Sequence, residues 1–203
     1  RGAENICEDR GTVPDERFVY PGGVLNASFS LGTMATHAIV PAAAVLPIPA
    51  DLPFEVGALL GCGVMTGFGS VVNAGRVTKD SSVAVLGCGG VGLSAVLGAV
   101  YCGAARIIAV DLSAKRLELA RQFGATETLL ADRCDAGLLD AAATIREMNG
   151  GRGVDYCFEC TAVPELGSAP LAMIRSGGTA VGVSGIEKVV PVNMEMFEWD
   201  KLY

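Results

Sequence analysis

The sequence predicts an α/β fold of the doubly wound type, in which helices cover both faces of a parallel sheet. Three observations predict it. Short apolar runs alternate with helical segments from residue 83 onward, the first run leads into a glycine-rich turn at residues 87–92, and the second run ends in a carboxylate, Asp111. The chain has 203 residues, 51% of them apolar, which suffices for a sizeable core and excludes intrinsic disorder.

Five segments have the apolar composition of strands buried on both faces. They lie at residues 83–86, 106–111, 126–130, 154–159 and 179–183. The uncharged stretch at 83–105 also has the length of a membrane span, but four glycines in six residues suit a tight turn better than a helix centre. We therefore favour a βαβ unit there and predict no membrane partner.

The helices between these strands begin at turn or capping residues and end at glycines. We predict them at residues 90–100, 113–123, 136–148 and 164–174, the last one stopped by Gly177 and Gly178. Two earlier helices are predicted as a link, one opened by Pro53 and one from Met65 to about residue 72.

The first 50 residues differ in character, because they are rich in proline and glycine and contain only short strand-like runs at 37–40 and 44–46. We interpret residues 1–60 as part of a β-rich domain with a linking helix, and residues 61–203 as a nucleotide-binding domain. The change of character falls near residues 50–75.

The net charge and the cysteine content indicate which partners and which cellular compartment to expect. The formal net charge is −7, so the chain lacks the basic surface that phosphate backbones require, and we predict no nucleic-acid partner. Seven cysteines without small-scaffold spacing favour a reducing, cytoplasmic setting. The chain starts at Arg1, without methionine or a basic-then-apolar leader, and we expect it to be a piece of a longer protein.

The turn after the first strand has the spacing of a dinucleotide-binding motif. Gly87, Gly89 and Gly92 form GxGxxG, in which the glycines allow a tight turn, close approach of backbone to pyrophosphate, and helix-to-strand packing. Asp111 follows nineteen residues after Gly92 and can accept hydrogen bonds from both ribose hydroxyls. A 2′-phosphate would meet its negative charge, so NAD is favoured over NADP.

Other interpretations of the same residues remain open. The glycines could simply form a βα turn, or the site could take S-adenosylmethionine, since methyltransferases also have a glycine turn and an acid after their first two strands. A short-chain reductase is disfavoured, because no tyrosine has a lysine four residues further on.

The chain resembles the zinc-dependent medium-chain alcohol dehydrogenases. The resemblance covers most of the sequence in family order and spacing, and its motifs lie at residues 31–40, 61–69, 87–92, 106–111, 123–126 and 153–160. It implies a Rossmann domain for NAD and the C-terminal portion of a GroES-like catalytic domain.

The resemblance also implies roles for individual residues. Cys62 looks like a ligand of the catalytic zinc, Thr66 lies against the nicotinamide, and Cys7 resembles the last of four cysteines at a structural zinc. The remaining positions match cofactor-binding residues of the family: Gly87, Gly89, Gly90, Val91 and Gly92 in the turn, Asp111 and Arg116 at the adenosine ribose, and Val181 and Val183 on the nicotinamide side.

Several elements of the family pattern have no counterpart here. The first cysteine ligand, the histidine ligand, the proton-relay residues and three structural cysteines would precede Arg1, and a sixth strand would start near Leu202. The resemblance therefore implies a complete protein that oxidises a primary or aromatic alcohol, or reduces the aldehyde, with NAD and zinc. We expect that protein to be a homo-oligomer, and this chain alone to bind cofactor without turnover. A non-catalytic, zinc-free relative remains the other alternative.

Two further features suggest metal or redox chemistry but are interpreted as structural. His37 is the only histidine and falls in a predicted strand. Cys157 and Cys160 form a C-x-x-C, but three residues along a strand turn the side chains to opposite faces, which does not build a two-thiolate clamp.

Overall fold

The computed structural model describes residues 19–24, 35–40, 42, 45–186, 188–197 and 200–203. The chain divides into two compact units, residues 1–52 and 53–203. In the first unit the described strands are β1 (Val19–Tyr20) and β2 (Gly23–Val24), which pair antiparallel. Cys7 and residues 31–34 lie outside the described residues.

The strand predicted around His37 is wrong. Residues 35–37 form a bend, and residues 38–40 are not part of a strand. His37 is exposed, and its Nδ1 lies 3.2 Å from the Oγ1 of Thr36. The histidine therefore belongs to no cluster of metal-ligating side chains among the described residues.

The second unit contains a five-stranded, fully parallel sheet. Its strands are β3 (Ser82–Leu86), β4 (Arg106–Asp111), β5 (Glu127–Leu130), β6 (Val154–Glu159) and β7 (Ile174–Gly182). The spatial order is β5-β4-β3-β6-β7, so the chain winds outward from β3 in one direction and then from β6 in the other. This is the doubly wound topology that the alternating pattern predicts.

Helices cover both faces of the sheet. They are α1 (Phe54–Leu59), α2 (Met65–Gly69), α3 (Gly90–Tyr101), α4 (Ala114–Gln122), α5 (Leu139–Met148) and α6 (Ala169–Met173). One core cluster joins Val85 and Phe158 to α3 and α4, and the other joins Leu86 and Cys157 to α5 and α6. Cys157 and Cys160 pack on opposite faces, as the spacing predicts.

The two linking helices form one continuous helical segment. Two π-helical stretches, Leu60–Val64 and Ser70–Gly75, connect and extend α1 and α2. The segment Phe54–Gly75 is 22 residues long and contains an 18-residue stretch with a mean hydropathy of 1.5, of which 11% is buried. By length and composition it is long and apolar enough to cross a membrane, but the core helix of a soluble protein can have the same length and composition. The uncharged stretch at 83–105 is instead a strand, a turn and a helix.

The prediction for residues 164–183 is wrong in its boundaries. Only Ala169–Met173 is α-helical, and β7 begins at Ile174, five residues earlier than predicted. Buried, β-branched Ile174 pairs with Val154, and a register shift then brings Thr179 opposite Tyr156. The residues between form a bulge whose turn uses the positive φ of Gly177, +67°. Beyond β7, Leu202 forms one parallel bridge with Thr179.

A polar cluster joins the amino ends of β3, β6 and β7. Asp155 Oδ2 accepts hydrogen bonds from the backbone N–H and the hydroxyl of Ser82, both at 2.7 Å, and Arg175 Nε donates to Oδ1 at 2.6 Å. Burial opposes the charge of Asp155, but these donors outweigh it and hold the pKa of the carboxyl below its usual range. The cluster stabilises the edge of the sheet opposite to the carboxyl ends of the strands.

We predict that Asp155→Asn lowers the free energy of unfolding by about 1–2 kcal/mol at pH 7, because it removes charge-assisted hydrogen bonds. Because the native pKa is depressed, the stabilisation is present above about pH 4 and is lost as the pH falls through the native pKa. Urea unfolding at pH 7 and pH 3 measures both effects. Glu118→Gln, which alters an exposed ion pair with Arg121, is the control and should change stability by less than about 0.5 kcal/mol. A difference between Asp155→Asn and wild type that persists undiminished at pH 3 would contradict the assignment.

Candidate functional site

The candidate site lies at the carboxyl ends of β3, β4 and β6. The connections from β3 and from β6 run in opposite directions across the sheet, so a crevice opens between the ends of these two neighbouring strands. In open α/β sheets, ligands bind at such a switch point.

The glycine turn links β3 to α3 with very little space. Gly87 has φ +86°, a left-handed conformation that favours glycine, and its N–H donates to the Val110 carbonyl at 2.8 Å. A Cβ at position 92 would lie 1.7 Å from the Gly87 carbonyl oxygen. Gly92 is therefore required for the packing of α3 against the end of β3.

The middle of the turn is open. A Cβ added at Gly89 or Gly90 would meet no atom of the described residues within 4 Å. Gly89 precedes the first turn of α3, a twelve-residue helix whose first N–H groups carry the positive end of the helix dipole. Backbone at these positions can be approached closely by an anionic group.

Asp111 ends β4 beside this turn and is 8% exposed. Its Oδ2 accepts from the Cys88 N–H at 2.8 Å, and its Oδ1 accepts from the Ser113 N–H at 2.8 Å. Because each carboxylate oxygen has a second acceptor position, each can take one further hydrogen bond from a ligand. Arg116 Nη1 lies 3.8 Å from Oδ2, and its side chain is 61% exposed.

These groups share one cleft of about 830 Å³. Of the predicted site residues, Gly87, Gly89, Asp111 and Arg116 line it. Its volume lies in the range of small-molecule and cofactor sites. Its further walls come from Leu112, the segment after β5 and the segment after β6: Ala131, Asp132, Arg133, Asp135, Ala136, Gly137, Leu138, Cys160, Thr161, Val163, Glu165 and Leu166.

The remaining predicted residues lie outside this cleft. Val91 is half-buried, and its carbonyl oxygen lies 2.0 Å from where a Cβ at Gly67 would be, so α2 packs directly on the first turn of α3. Val181 and Val183 are half-buried on the face of α3 and α4. Cys62 and Thr66 are both exposed on the helical segment that precedes this contact.

The described residues do not fit a complete zinc site. Tetrahedral zinc needs three or four protein ligands, and no group of three or more His, Cys, Asp or Glu side chains among the described residues could hold a metal. Cys62 alone is present at the position that the sequence predicts for a catalytic-zinc ligand.

Sequence reasoning missed the segment after β6. Cys160, Thr161 and Val163 line the cleft, and buried Glu159 hydrogen-bonds the turn that carries them. The sequence predicts the strand that these residues follow, but the structure alone shows that this strand is the neighbour of β3 and that its end therefore lies at the switch point. We considered Cys160 only as half of a C-x-x-C. Burial and then the neighbouring Glu159 raise the pKa of the Cys160 thiol well above its usual range, and burial raises that of Cys88 to about 12, so both thiols are neutral.

The sheet topology and its flanking helices together define a Rossmann-like α/β domain. The sequence model of the zinc-binding dehydrogenases matches residues 90–200, more than half of the chain. The chain therefore belongs to the zinc-binding dehydrogenase family.

Individual relatives agree with this assignment. An S-(hydroxymethyl)glutathione dehydrogenase of Escherichia coli is 34% identical over 195 residues, covering 91% of this chain and 52% of the relative. Among solved structures, an alcohol dehydrogenase zinc-binding domain protein from Burkholderia ambifaria has a TM-score of 0.77 at 34% identity and covers 91% of this chain and 50% of its own. The benzyl alcohol dehydrogenase of Acinetobacter calcoaceticus has a TM-score of 0.74 at 34% identity, over 86% of this chain and 47% of its own. The chain spans about half of the length of these relatives, and 31% of the length of an alcohol dehydrogenase-like protein of Arabidopsis thaliana.

The tight contact in the turn gives a prediction about stability. Gly92→Ala should lower the free energy of unfolding by more than about 2 kcal/mol, because the new methyl group would displace the Gly87 carbonyl or separate α3 from β3. Gly90→Ala is the matched control on the same helix, and it should be neutral or slightly stabilising, because the site is open and alanine favours the helix. Chemical denaturation measures both, and equal effects would contradict the geometry of the turn.

Proposed function

We propose that this chain is the cofactor-binding part of an NAD-dependent alcohol dehydrogenase. In the complete protein, hydride would pass between a primary or aromatic alcohol and NAD with assistance from zinc. The observation that carries the proposal is the open glycine turn beside a buried carboxylate that retains free acceptor positions, in a chain of the zinc-binding dehydrogenase family.

The described residues fit a dinucleotide. The N–H groups at the start of α3 would hold the pyrophosphate at Gly89 and Gly90, where only open space lies above the backbone. Asp111 would accept hydrogen bonds from the adenosine ribose hydroxyls, and Arg116 and Arg133 would add positive charge along the same cleft. When bound, NAD supplies the hydride acceptor.

The remaining predicted residues would serve the nicotinamide end. Val181 lies near the end of β7 and Val183 directly follows the strand, and both pack against the core cluster that contains α3. Val91 lies in the first turn of that helix. Thr66 would lie against the nicotinamide because its neighbour Gly67 contacts Val91. The steps that this chain's own residues perform are binding and orienting the cofactor.

Metal binding is proposed only in part. Cys62 would supply one thiolate to catalytic zinc, and Cys7 one to a structural zinc, together with ligands that the described residues do not include. The relatives named above are an S-(hydroxymethyl)glutathione dehydrogenase and a benzyl alcohol dehydrogenase, which supports an alcohol or aldehyde as the substrate class. The family match disfavours the methyltransferase alternative.

The setting is proposed to be reducing and cytoplasmic. The six cysteines in the described part of the chain are all free: Cys62, Cys88, Cys102, Cys134, Cys157 and Cys160. Free thiols in a chain of this size are typical of reducing compartments. A homo-oligomer is proposed for the complete protein.

The cofactor proposal predicts a preference for NADH over NADPH of at least about tenfold in dissociation constant, because a 2′-phosphate would lie against the Asp111 carboxylate. Asp111→Asn should raise the NADH dissociation constant about tenfold, as expected for the loss of a charge-assisted hydrogen bond, and should reduce the preference for NADH over NADPH. Isothermal titration of the folded chain measures all four constants. Asp155→Asn is the control, because it changes a carboxylate at the opposite edge of the sheet. A wild-type chain that is folded but binds neither cofactor would overturn the proposal.

Because the glycine turn is open at Gly89, a substitution there can change NADH affinity without changing the stability of the fold. We expect Gly89→Ala to leave the free energy of unfolding within about 0.5 kcal/mol of wild type, because its backbone is extended and no protein atom is near the new methyl group. The same methyl group would occupy the space proposed for pyrophosphate, so NADH affinity should fall at least about tenfold. Unchanged NADH binding by this variant would place the phosphates elsewhere.

A further inference from the structure

Glu159 is the most deeply buried charged side chain in the described part of the chain, at 0% exposure. It is the last residue of β6, so it lies at the carboxyl end of the strand that neighbours β3. The proposed cofactor roles do not use it.

One carboxylate oxygen holds the turn that follows the strand. Oε1 accepts from the Thr161 N–H at 2.6 Å, from the Thr161 hydroxyl at 2.5 Å and from the Ala162 N–H at 3.1 Å. The Thr161 hydroxyl oxygen in turn accepts a hydrogen bond from the Val163 N–H at 3.1 Å. Glu159 therefore organises three consecutive residues.

This turn has an unfavourable backbone conformation. Ala162 has φ +59°, in the left-handed region that residues with a Cβ rarely adopt. Its N–H is shared between Glu159 Oε1 and the Ser184 hydroxyl, which lies 2.9 Å away beyond the end of β7. These hydrogen bonds are what favours the left-handed conformer.

The turn forms a wall of the cofactor cleft. Thr161 and Val163 line it together with Asp111 and Arg116. The Thr161 methyl carbon lies 3.0 Å from where a Cβ at Gly87 would be, so the turn also packs on the first glycine of the motif. A change in the turn therefore changes the shape of the cleft.

Stability alone does not explain a carboxylate at this position. Among the described residues, Glu159 Oε2 has no hydrogen-bond partner, although it is buried. Burying a carboxyl group with one oxygen unpaired is costly, so its presence calls for an explanation other than stability.

We propose that Glu159 is a positioning residue for the cofactor, which holds the Thr161–Ala162 turn in its binding-competent shape through the three hydrogen bonds to Oε1. This inference rests on the proposed function, because its consequence is a change in NADH affinity. The apparent affinity for NADH equals the intrinsic affinity multiplied by the fraction of molecules in which the turn has its binding-competent shape. The hydrogen bonds to Glu159 offset the cost of the left-handed Ala162, so losing them should lower that fraction and raise the NADH dissociation constant roughly tenfold.

Two substitutions at Glu159 distinguish the effect of side-chain length from the effect of charge. Glu159→Gln keeps an acceptor oxygen at the same distance but removes the charge, and NADH affinity should stay within about twofold of wild type. Glu159→Asp keeps the charge but withdraws the carboxylate by about 1.5 Å, one carbon–carbon bond, and NADH affinity should fall roughly tenfold. The opposite ranking would overturn the proposal in favour of a role for the charge.

A second-site change tests the turn itself. Ala162→Gly removes the cost of the left-handed conformation, so adding it to Glu159→Asp should restore most of the NADH affinity. Hydrogen exchange adds a readout independent of the ligand: protection of the Thr161 and Ala162 amides should be lost in Glu159→Asp and kept in Glu159→Gln. Failure of the rescue, together with unchanged amide protection, would overturn the proposal.

The control is Asp155→Asn on the same strand. It weakens the polar cluster of Ser82, Asp155 and Arg175 at the other end of β6. It should therefore lower the free energy of unfolding but leave NADH affinity and amide protection at Thr161 unchanged. If Asp155→Asn weakens NADH as much as Glu159→Asp does, the effect of Glu159 is general destabilisation and the inference fails. If wild type binds NADH and Glu159→Asp binds it equally well, the inference fails and the proposed function stands. If folded wild type does not bind NADH at all, the proposed function fails first.

Discussion

The close approach of α3 to the end of β3 is the constraint on which the rest of the site depends. The Gly87 carbonyl oxygen fills the space that any side chain at position 92 would need. One layer further out, the Val91 carbonyl fills the space that a side chain at Gly67 would need. The end of β3, α3 and α2 are therefore packed backbone to backbone, and the first N–H groups of α3 lie at the crevice at the switch point of the sheet.

Two buried carboxylates fix the loops around this contact. β4 and β6 flank β3, and each ends in an acid, Asp111 and Glu159. Asp111 accepts from backbone N–H groups of the glycine turn and of the turn before α4, and Glu159 accepts from backbone N–H groups of the turn after β6. The two acids differ in one respect. Both Asp111 oxygens have partners and remain at the cleft, whereas Glu159 is fully buried and its Oε2 has no hydrogen-bond partner within the described part of the chain. This difference suits Asp111 to contact a ligand and Glu159 to hold a loop.

Most of the sheet could be predicted from the sequence, because its central strands contain short apolar runs, and a glycine follows β3 and precedes β6. β4 and β6 have the predicted bounds, and Ser113 accepts the Arg116 N–H as a helix cap should. The failures occur where local composition and pairing disagree. Residues 164–174 have helical composition, but Ile174 gains a buried partner in Val154 and joins the sheet. Residues 38–40 have strand composition, but they are not part of a strand, because composition alone does not determine whether a segment joins a sheet.

The same reasoning explains which part of the site could be predicted. The glycine turn and Asp111 carry a spacing that follows from pyrophosphate and ribose geometry, so one sequence suffices to find them. Glu159 and Thr161 have no such spacing, since their importance comes from a hydrogen-bonded turn with one left-handed alanine, which appears only in three dimensions.

Cys62 and Thr66 are an intermediate case, because the sequence indicates their segment but not what ties it to the cofactor cleft. The segment is held by the contact between Gly67, which directly follows Thr66, and Val91, which lies in the first turn of α3. The helix that carries the proposed chemistry is thereby held against the helix that carries the proposed phosphate site. A larger residue at position 67 would separate the two, even though it would touch neither the cofactor nor a metal.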